Sequence, residues 1–287
     1  MELNRNKIKE YYRDTDVAYK IIWRDRTSLG MHFGFWNKNT KSHKESLINQ
    51  NLFMENVSKV NSKDIILDAG CGVGGSSIWL YKRFKAKIYG ISISGFQIKK
   101  AKDFSKKEGF KNLINFSVQD YSNTKFESNK FTLLWAQESL PHEDKKLKFL
   151  KEAYRILKKG GRLVSADYFS VKERYIVDEK RIMNDFTRGW AMANFITKEK
   201  FIRLAKKAGF KNIKYYDTNK LIGPSLKRLL YAYLFFKPLS KVKQIVQISN
   251  FFNLPVETQV KNIDSVKSGY QAYKGGLWKH GVIYMEK

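Results

Sequence analysis

The run Ile65–Gly75, IILDAGCGVGG, constrains this chain more than any other short stretch. An apolar run ends in the acid Asp68, and glycines follow at positions 70, 72, 74 and 75. Backbone that bare is needed where a chain must turn tightly, or let a ligand approach without side chains in the way. Such a turn belongs at the carboxyl end of a strand in an open parallel sheet, beside the topological switch point where ligands bind. The residues that follow have the required rhythm. Strand-like runs Ile65–Ala69, Lys87–Ile91, Ile114–Val118, Phe131–Ala136 and Arg162–Tyr168 alternate with helix-period segments Ser76–Arg83, Gly95–Lys107 and Asp144–Leu157. In the last of these, Leu147, Leu150, Tyr154 and Leu157 recur at spacings of three and four. The lysines and Gly160-Gly161 behind it are expected to close that helix and admit the fifth strand. Strand–helix alternation of this kind predicts a parallel sheet covered on both faces.

Either side of this core the pattern changes. Residues 1–60 carry helix-like segments crowded with aromatics and are expected to form a helical cap, with the core running over 61–170. In 171–287, Lys198–Gly209 reads as an amphipathic helix, Ile213–Asp217 and Gly281–Met285 as the remaining strands, and about 219–277 as a helical lid. With 43% hydrophobic and 15% aromatic residues the chain is a folded globule. Its single cysteine, Cys71, excludes a disulfide framework, and no Cys/His spacing resembles a zinc site, so no metal is expected. MELNRNKIKEYY lacks the apolar region of a signal peptide, and the longest apolar run, Leu229–Phe236, is too short to span a bilayer. A cytoplasmic enzyme is the expectation, with peripheral contact at an inner membrane face left open. The formal net charge of +28 attracts polyanions, or reflects only a lysine-heavy proteome; it is spread along the chain without a basic block.

A glycine-rich strand-to-helix turn alone fits a dinucleotide as well as a nucleoside. Here the glycines are spaced GxGxG, with Asp68 two residues before the first. A carboxylate in the turn disfavours a pyrophosphate and suits a ligand carrying an ammonium. DAGCGVGG at the end of a first strand resembles motif I of the class I S-adenosylmethionine (SAM)-dependent methyltransferases. The resemblance implies an α/β, Rossmann-like fold with a seven-stranded, mostly parallel sheet, an N-terminal helical cap and a helical insertion before the last strand. It implies SAM as cofactor, held by Asp68, Gly70, Gly72 and Gly74. The stretch GISISGFQ at the second strand end lacks the acid that many members place there for the ribose. It resembles instead the subgroup of cyclopropane-fatty-acid synthases, tocopherol methyltransferases and prenyl-diphosphate C-methyltransferases, which implies polar roles for Ser94 and Gln97. Gln119-Asp120-Tyr121 matches the third-strand acid that approaches the adenine, and Gln137, which follows the fourth strand, is a further candidate for cofactor binding.

The acceptor side carries a second set of likenesses. Glu138-Ser139-Leu140-Pro141-His142 resembles the E-S-x-x-H of tocopherol methyltransferases and the E-A-x-x-H of sterol methyltransferases, while the tetrad of nucleobase amino-methylating enzymes is absent. Tyr11-Tyr12 with Gly30-Met31-His32-Phe33-Gly34-Phe35-Trp36 is similar to the opening of the same subgroup, which implies Tyr12 over the cofactor and His32 and Trp36 on the acceptor side; Arg13 stands where the subgroup often has Asp. Ser268-Gly269-Tyr270 through Gly281 resembles the closing pattern of tocopherol-type enzymes. Glu138 is the expected base, with His142 assisting or orienting it. The pair would remove a proton beside a carbocation, or deprotonate a phenol. Trp36, Trp135, Trp190 and Tyr270 are candidates to line the acceptor pocket.

In the insertion, PSLKRLLYAYLFFKPL combines an apolar face with Lys227, Arg228 and Lys237, followed by Lys241 and Lys243. That suits a lid over a lipid-like acceptor, or a helix lying on an anionic membrane. The expected activity is SAM-dependent methylation, at carbon, of a hydrophobic isoprenoid or lipid-like molecule: a prenyl diphosphate, a prenylated phenol or quinol, or a sterol-like lipid. The alternative is a small-amine N-methyltransferase of the sarcosine or phosphoethanolamine type. A SAM-fold protein binding RNA ranks third, since aromatic–basic nucleic-acid modules are absent.

Overall fold

The computed structural model describes residues 5–23, 28–193, 195–239 and 256–287. Its centre is one seven-stranded sheet made of β1 (Ile65–Ala69), β2 (Lys87–Ser92), β3 (Ile114–Val118), β4 (Phe131–Gln137), β5 (Leu157–Ser170), β6 (Lys211–Asp217) and β7 (Trp278–Glu286). The order is β3-β2-β1-β4-β5-β7-β6, and only β7 runs against its neighbours. The chain reverses direction across the sheet between β1 and β4, and β1 delivers Asp68 and the glycine turn to that crevice.

The sheet is buried on both faces, as alternation along its strands requires. Ile66, Ile88, Leu133, Val164 and Val282 feed one core, and Leu67, Ile91, Leu134, Leu163 and Ile283 the other. Helices α6 (Lys146–Ile156) and α8 (Lys198–Ala208) close the second core with Phe149, Leu150, Phe201 and Ala205. The first core is covered by α3 (His43–Ser58), α4 (Gly75–Phe84), α5 (Gly95–Lys107) and α7 (Val177–Gly189), together with α9 (Asn219–Leu239) and α10 (Val256–Lys274). Local chemistry sets several of these ends. Ser42, Ser94 and Thr197 accept from the backbone N–H three residues on, and Gly209 ends α8 at φ +108°.

Two boundaries differ from the sequence expectation. Helix α6 stops at Ile156 and hands directly to β5, before the glycine pair. Leu157 is fully buried and already pairs with Phe131 of β4, so sheet pairing outweighs the helical pattern that Leu157 continues. Strand β7 begins at Trp278, because its residues 278–280 pair with the extended end of β5.

The N-terminal residues form α1 (Arg5–Asp14), the single turn α2 (Asp16–Ala18) and a π-helical turn, Tyr19–Trp23. Residues 28–42 are tied down by Phe35 N–H donating to Ser46 O and Trp36 N–H to Leu221 O, each at 2.8 Å. Lys241 and Lys243 lie outside the described residues. Among the described residues, no helix is long and apolar enough to cross a membrane.

Candidate active site

A cavity of about 540 Å³ opens at the carboxyl ends of β1, β2 and β4. Its floor is the glycine turn. Gly70 has φ +89°, and a Cβ there would lie 2.4 Å from Ser139 Cβ; Gly72 has φ +53°, and an added Cβ would make only ordinary contact, 3.6 Å from Met31 Sδ. Asp68 lines the cavity and accepts from Ser77 Oγ at 2.6 Å. Burial pushes its carboxyl up to about 7, although the Ser77 hydroxyl and N–H pull it down. An incoming ammonium beside this buried carboxyl would hold it in its charged form. Ser92, Ile93, Gln97, Asp120 and Tyr121 form the wall opposite, and Arg5, Ile8 and Tyr12 of α1 form the roof. Gly70→Ala should cost about 2–5 kcal/mol of stability from left-handed strain and overpacking together. Gly72→Ala should leave folding cooperative but weaken SAM binding; thermal melting and calorimetric titration of the two variants separate these outcomes.

A second, smaller chamber of about 70 Å³ adjoins the first. Tyr12, Met31, His32, Glu138 and His142 line both, so the boundary between them is where two ligands would meet. Apart from the amide of Asn262, the rest of its described wall is aromatic and apolar: Tyr11, Tyr19, Trp23, Phe33, Tyr168 and Trp190, with Leu229 and Val266 from the lid helices.

Glu138 is the best-held group in the site. Its backbone adopts φ +48°, a strained conformation for a residue with a Cβ, which follows directly on the end of β4. Oε1 accepts from Phe33 N–H at 2.9 Å, Gln50 Nε2 at 2.9 Å and His280 Nε2 at 3.1 Å, and Oε2 accepts from Tyr168 Oη at 2.6 Å. Burial acts to raise its pKa, but the His280 contact, the field of His32 and the Tyr168 hydroxyl outweigh burial and hold it below the usual carboxylate value. Thr218 Oγ1 stands 2.7 Å from the other nitrogen of His280.

His142 has both nitrogens engaged. Nδ1–H donates to Ala191 O at 2.8 Å, which leaves Nε2 to accept from Tyr12 Oη at 2.7 Å. Burial lowers its pKa to about 4, so the ring is neutral and its lone pair is directed at Tyr12. His142 therefore orients Tyr12 at the chamber boundary and has no free lone pair to offer a substrate. His32 Nδ1–H donates to Phe33 O at 2.9 Å, and burial lowers its pKa too.

The structure brings most of the sequence-predicted residues together and sets some apart. Asp68, Gly70, Gly72, Gln97, Asp120, Tyr121, Gln137 and Tyr12 line the cofactor-sized cavity. Ser94 does not: it caps α5 by accepting from Gln97 N–H at 3.4 Å, and Ser92 faces the cavity instead. Gln119 turns aside to bond Ser117 Oγ and Lys125 N–H, and Gly74 caps α4. Asp120 is engaged by Arg5 at 2.5 Å. On the acceptor side Trp190 and His32 line the small chamber, whereas Trp36 donates to Ser225 Oγ and lines an outer groove. Tyr270 packs against the core outside both chambers, and Trp135 is wholly buried under Gln137. Sequence reasoning missed Gln50, Tyr168 and His280. Gln50 is buried in α3 and links Glu138 to Gln137, whose Oε1 accepts from Ser76 of the cofactor cavity. The only sequence signal for any of these is His280 within the closing Lys279-His280-Gly281.

A 3-2-1-4-5-7-6 sheet with a carboxylate and a glycine turn at its crevice is the class I SAM-binding methyltransferase architecture. Residues 60–209 match the family described as a methyltransferase domain, and the chain belongs to that family of SAM-dependent methyltransferases. It is 27% identical to the chloroplastic tocopherol O-methyltransferase of Arabidopsis thaliana, over all of this chain and 83% of that one. It is 34% identical to the 2-methyl-6-phytyl-1,4-hydroquinone methyltransferase of a Synechocystis strain, over 47% of this chain and 43% of that one. Its fold is similar to that of the geranyl diphosphate C-methyltransferase of Streptomyces coelicolor A3(2), with TM-score 0.72 at 16% identity over 98% and 97% of the two chains.

Proposed function

We propose that this enzyme methylates a carbon of an isoprenoid or lipid-like acceptor whose reacting end lies in the aromatic chamber. The observation that carries the reading is Glu138, a carboxylate held below its usual pKa at the boundary of the two chambers. Bound SAM supplies an electrophilic methyl on a sulfonium. Asp68 would take its ammonium, the bare backbone of Gly70 and Gly72 would leave room for it, and Asp120 and Tyr121 would flank its base. Tyr12, fixed by His142, would close the boundary above.

Methylation of an alkene leaves a carbocation on the acceptor, and the π-faces of Phe33, Tyr168 and Trp190 are the surfaces available to stabilise it. Loss of a proton from the neighbouring carbon to Glu138 returns the C–H electrons as a double bond. A weakly basic carboxylate suffices there, because that proton is strongly acidic. Deprotonating a phenol, whose ordinary pKa is about 10, asks for a stronger base than Glu138 so held. The described lining of the chamber contains no Lys or Arg, which also supports a neutral reacting end.

The small volume, about 70 Å³, favours a second reading, methylation of a small amine. Incubation with methyl-labelled SAM separates the two. Prenyl diphosphates, prenylated hydroquinones and sterols are compared with sarcosine and phosphoethanolamine, and the labelled product is located by NMR. The first reading expects a new C–CH₃ bond in an isoprenoid; label transferred only to the amines overturns it.

A further inference from the structure

We propose that the outer face of α9 is the surface on which the enzyme rests against an anionic lipid bilayer, with the acceptor chamber opening behind it. Two rows of α9 do different work. Ile222 and Leu226 are buried in the core and Leu229 lines the acceptor chamber. On the opposite arc, Lys220, Lys227 and Arg228 are exposed, and Tyr231, Leu234 and Phe235 follow at 67%, 56% and 67% exposure. Spacings of three and four put these residues on one stripe, cations toward the helix start and apolar side chains toward its end.

The stripe is continuous with the site. An open groove of about 570 Å³ runs along it, bounded by Trp36, Lys227, Arg228 and Tyr231, and Ile22 forms part of its wall. Ile22 also lines the acceptor chamber, and Arg228 Nη2 donates to Ile22 O at 3.0 Å. A single wall therefore separates the groove from the place where the acceptor reacts.

Charge selects the occupant. A second copy docked on this face would set Lys227 and Arg228 of one protomer against like charges, in a chain already at +28. An anionic headgroup layer complements those cations and accepts the aromatic and aliphatic side chains just beneath it. The proposal takes its purpose from the lipid-like acceptor proposed above, yet the binding is measurable without turnover.

The test is sedimentation of the full chain with phosphatidylglycerol-containing vesicles and with pure phosphatidylcholine vesicles, at low and high salt. The wild type is expected to bind the anionic vesicles only. Lys227→Gln with Arg228→Gln should weaken binding roughly fivefold per cation removed. Tyr231→Ser with Leu234→Ser should weaken it at least as much. Ile176→Ser with Val177→Ser, on another exposed apolar pair at 67% and 85%, should change nothing. Calorimetric SAM binding by each variant shows that it is folded. Absence of binding to anionic vesicles overturns the proposal, as does binding that ignores Tyr231 and Leu234 and vanishes wholly with salt. A dimer in light scattering that the Tyr231/Leu234 variant dissolves would overturn it in favour of self-association. Vesicle binding without methyl transfer to any lipid would instead count against the acceptor assignment alone.

Discussion

Glu138→Gln is expected to bind SAM with unchanged affinity and to lose about 10²- to 10⁴-fold in kcat, the range for removing a positioned acid–base group. The change is nearly isosteric. The amide oxygen can take the place of Oε1 and accept from Phe33 N–H, Gln50 and His280, while the NH₂ turns toward Tyr168 Oη. Folding is therefore retained, and what disappears is the negative charge at the chamber boundary and a site for the departing proton. Glu138→Ala is the harsher variant: it strands four buried donors and should destabilise the protein by about 1–3 kcal/mol per unsatisfied group. Steady-state kinetics with a saturating acceptor, beside a thermal melt of each variant, separates chemistry from folding. A glutamine enzyme within tenfold of wild type would remove Glu138 from the chemistry. Because the Glu138 carboxyl sits below its usual value, kcat should also stay level as pH falls toward 5.

Asp68→Asn is expected to weaken SAM binding by about 10²-fold, corresponding to the roughly 2–5 kcal/mol lost when one partner of a buried, hydrogen-bonded charge pair is removed. The wild type should show the same dependence through pH. Its carboxyl is raised to about 7 by burial, so lowering the pH below 7 protonates the group that an ammonium needs. Affinity should then fall by up to tenfold per pH unit, and the asparagine variant should show no such slope. The stability effect has the opposite sense. Between the unfolded value of 3.8 and about 7 the folded state holds a proton that the unfolded chain releases, so stability falls as pH rises through that window. Above it the charged form carries its full burial penalty. Asp68→Asn should accordingly melt at or above the wild-type temperature near pH 8 while binding SAM poorly. Calorimetric titration and melting across pH 5 to 8 test both; a variant that melts lower and binds normally would overturn the assignment. A rise in KM for SAM below pH 7 with level kcat would assign the two carboxylates their separate roles.

The strands, the glycine turn and the covering helices were legible in the sequence because each is a local pattern. Ile66 and Leu67 feed opposite cores by simple alternation, and Ser94 and Thr197 cap helices through contacts three residues away. Local reasoning failed where a neighbour in space decided. Leu157 continues a helical period, yet its pairing with Phe131 makes it strand. Ser94 was expected at the cofactor, but capping keeps it out of the cavity and Ser92 takes the position. Trp36 and Tyr270 had the residue type for an acceptor pocket, and helix α9 and the core draw them elsewhere.

By itself the sequence determined the order of strands and helices and the acid-and-glycine turn, since hydrophobic period and backbone freedom act over a few residues. Only the tertiary structure decided what Glu138 and His142 can do. The partners that hold the Glu138 carboxylate come from residues 33, 50, 168 and 280, and His142 is tied to Tyr12 and Ala191. Basicity in a buried site is set by such surroundings, and no window along the chain contains them.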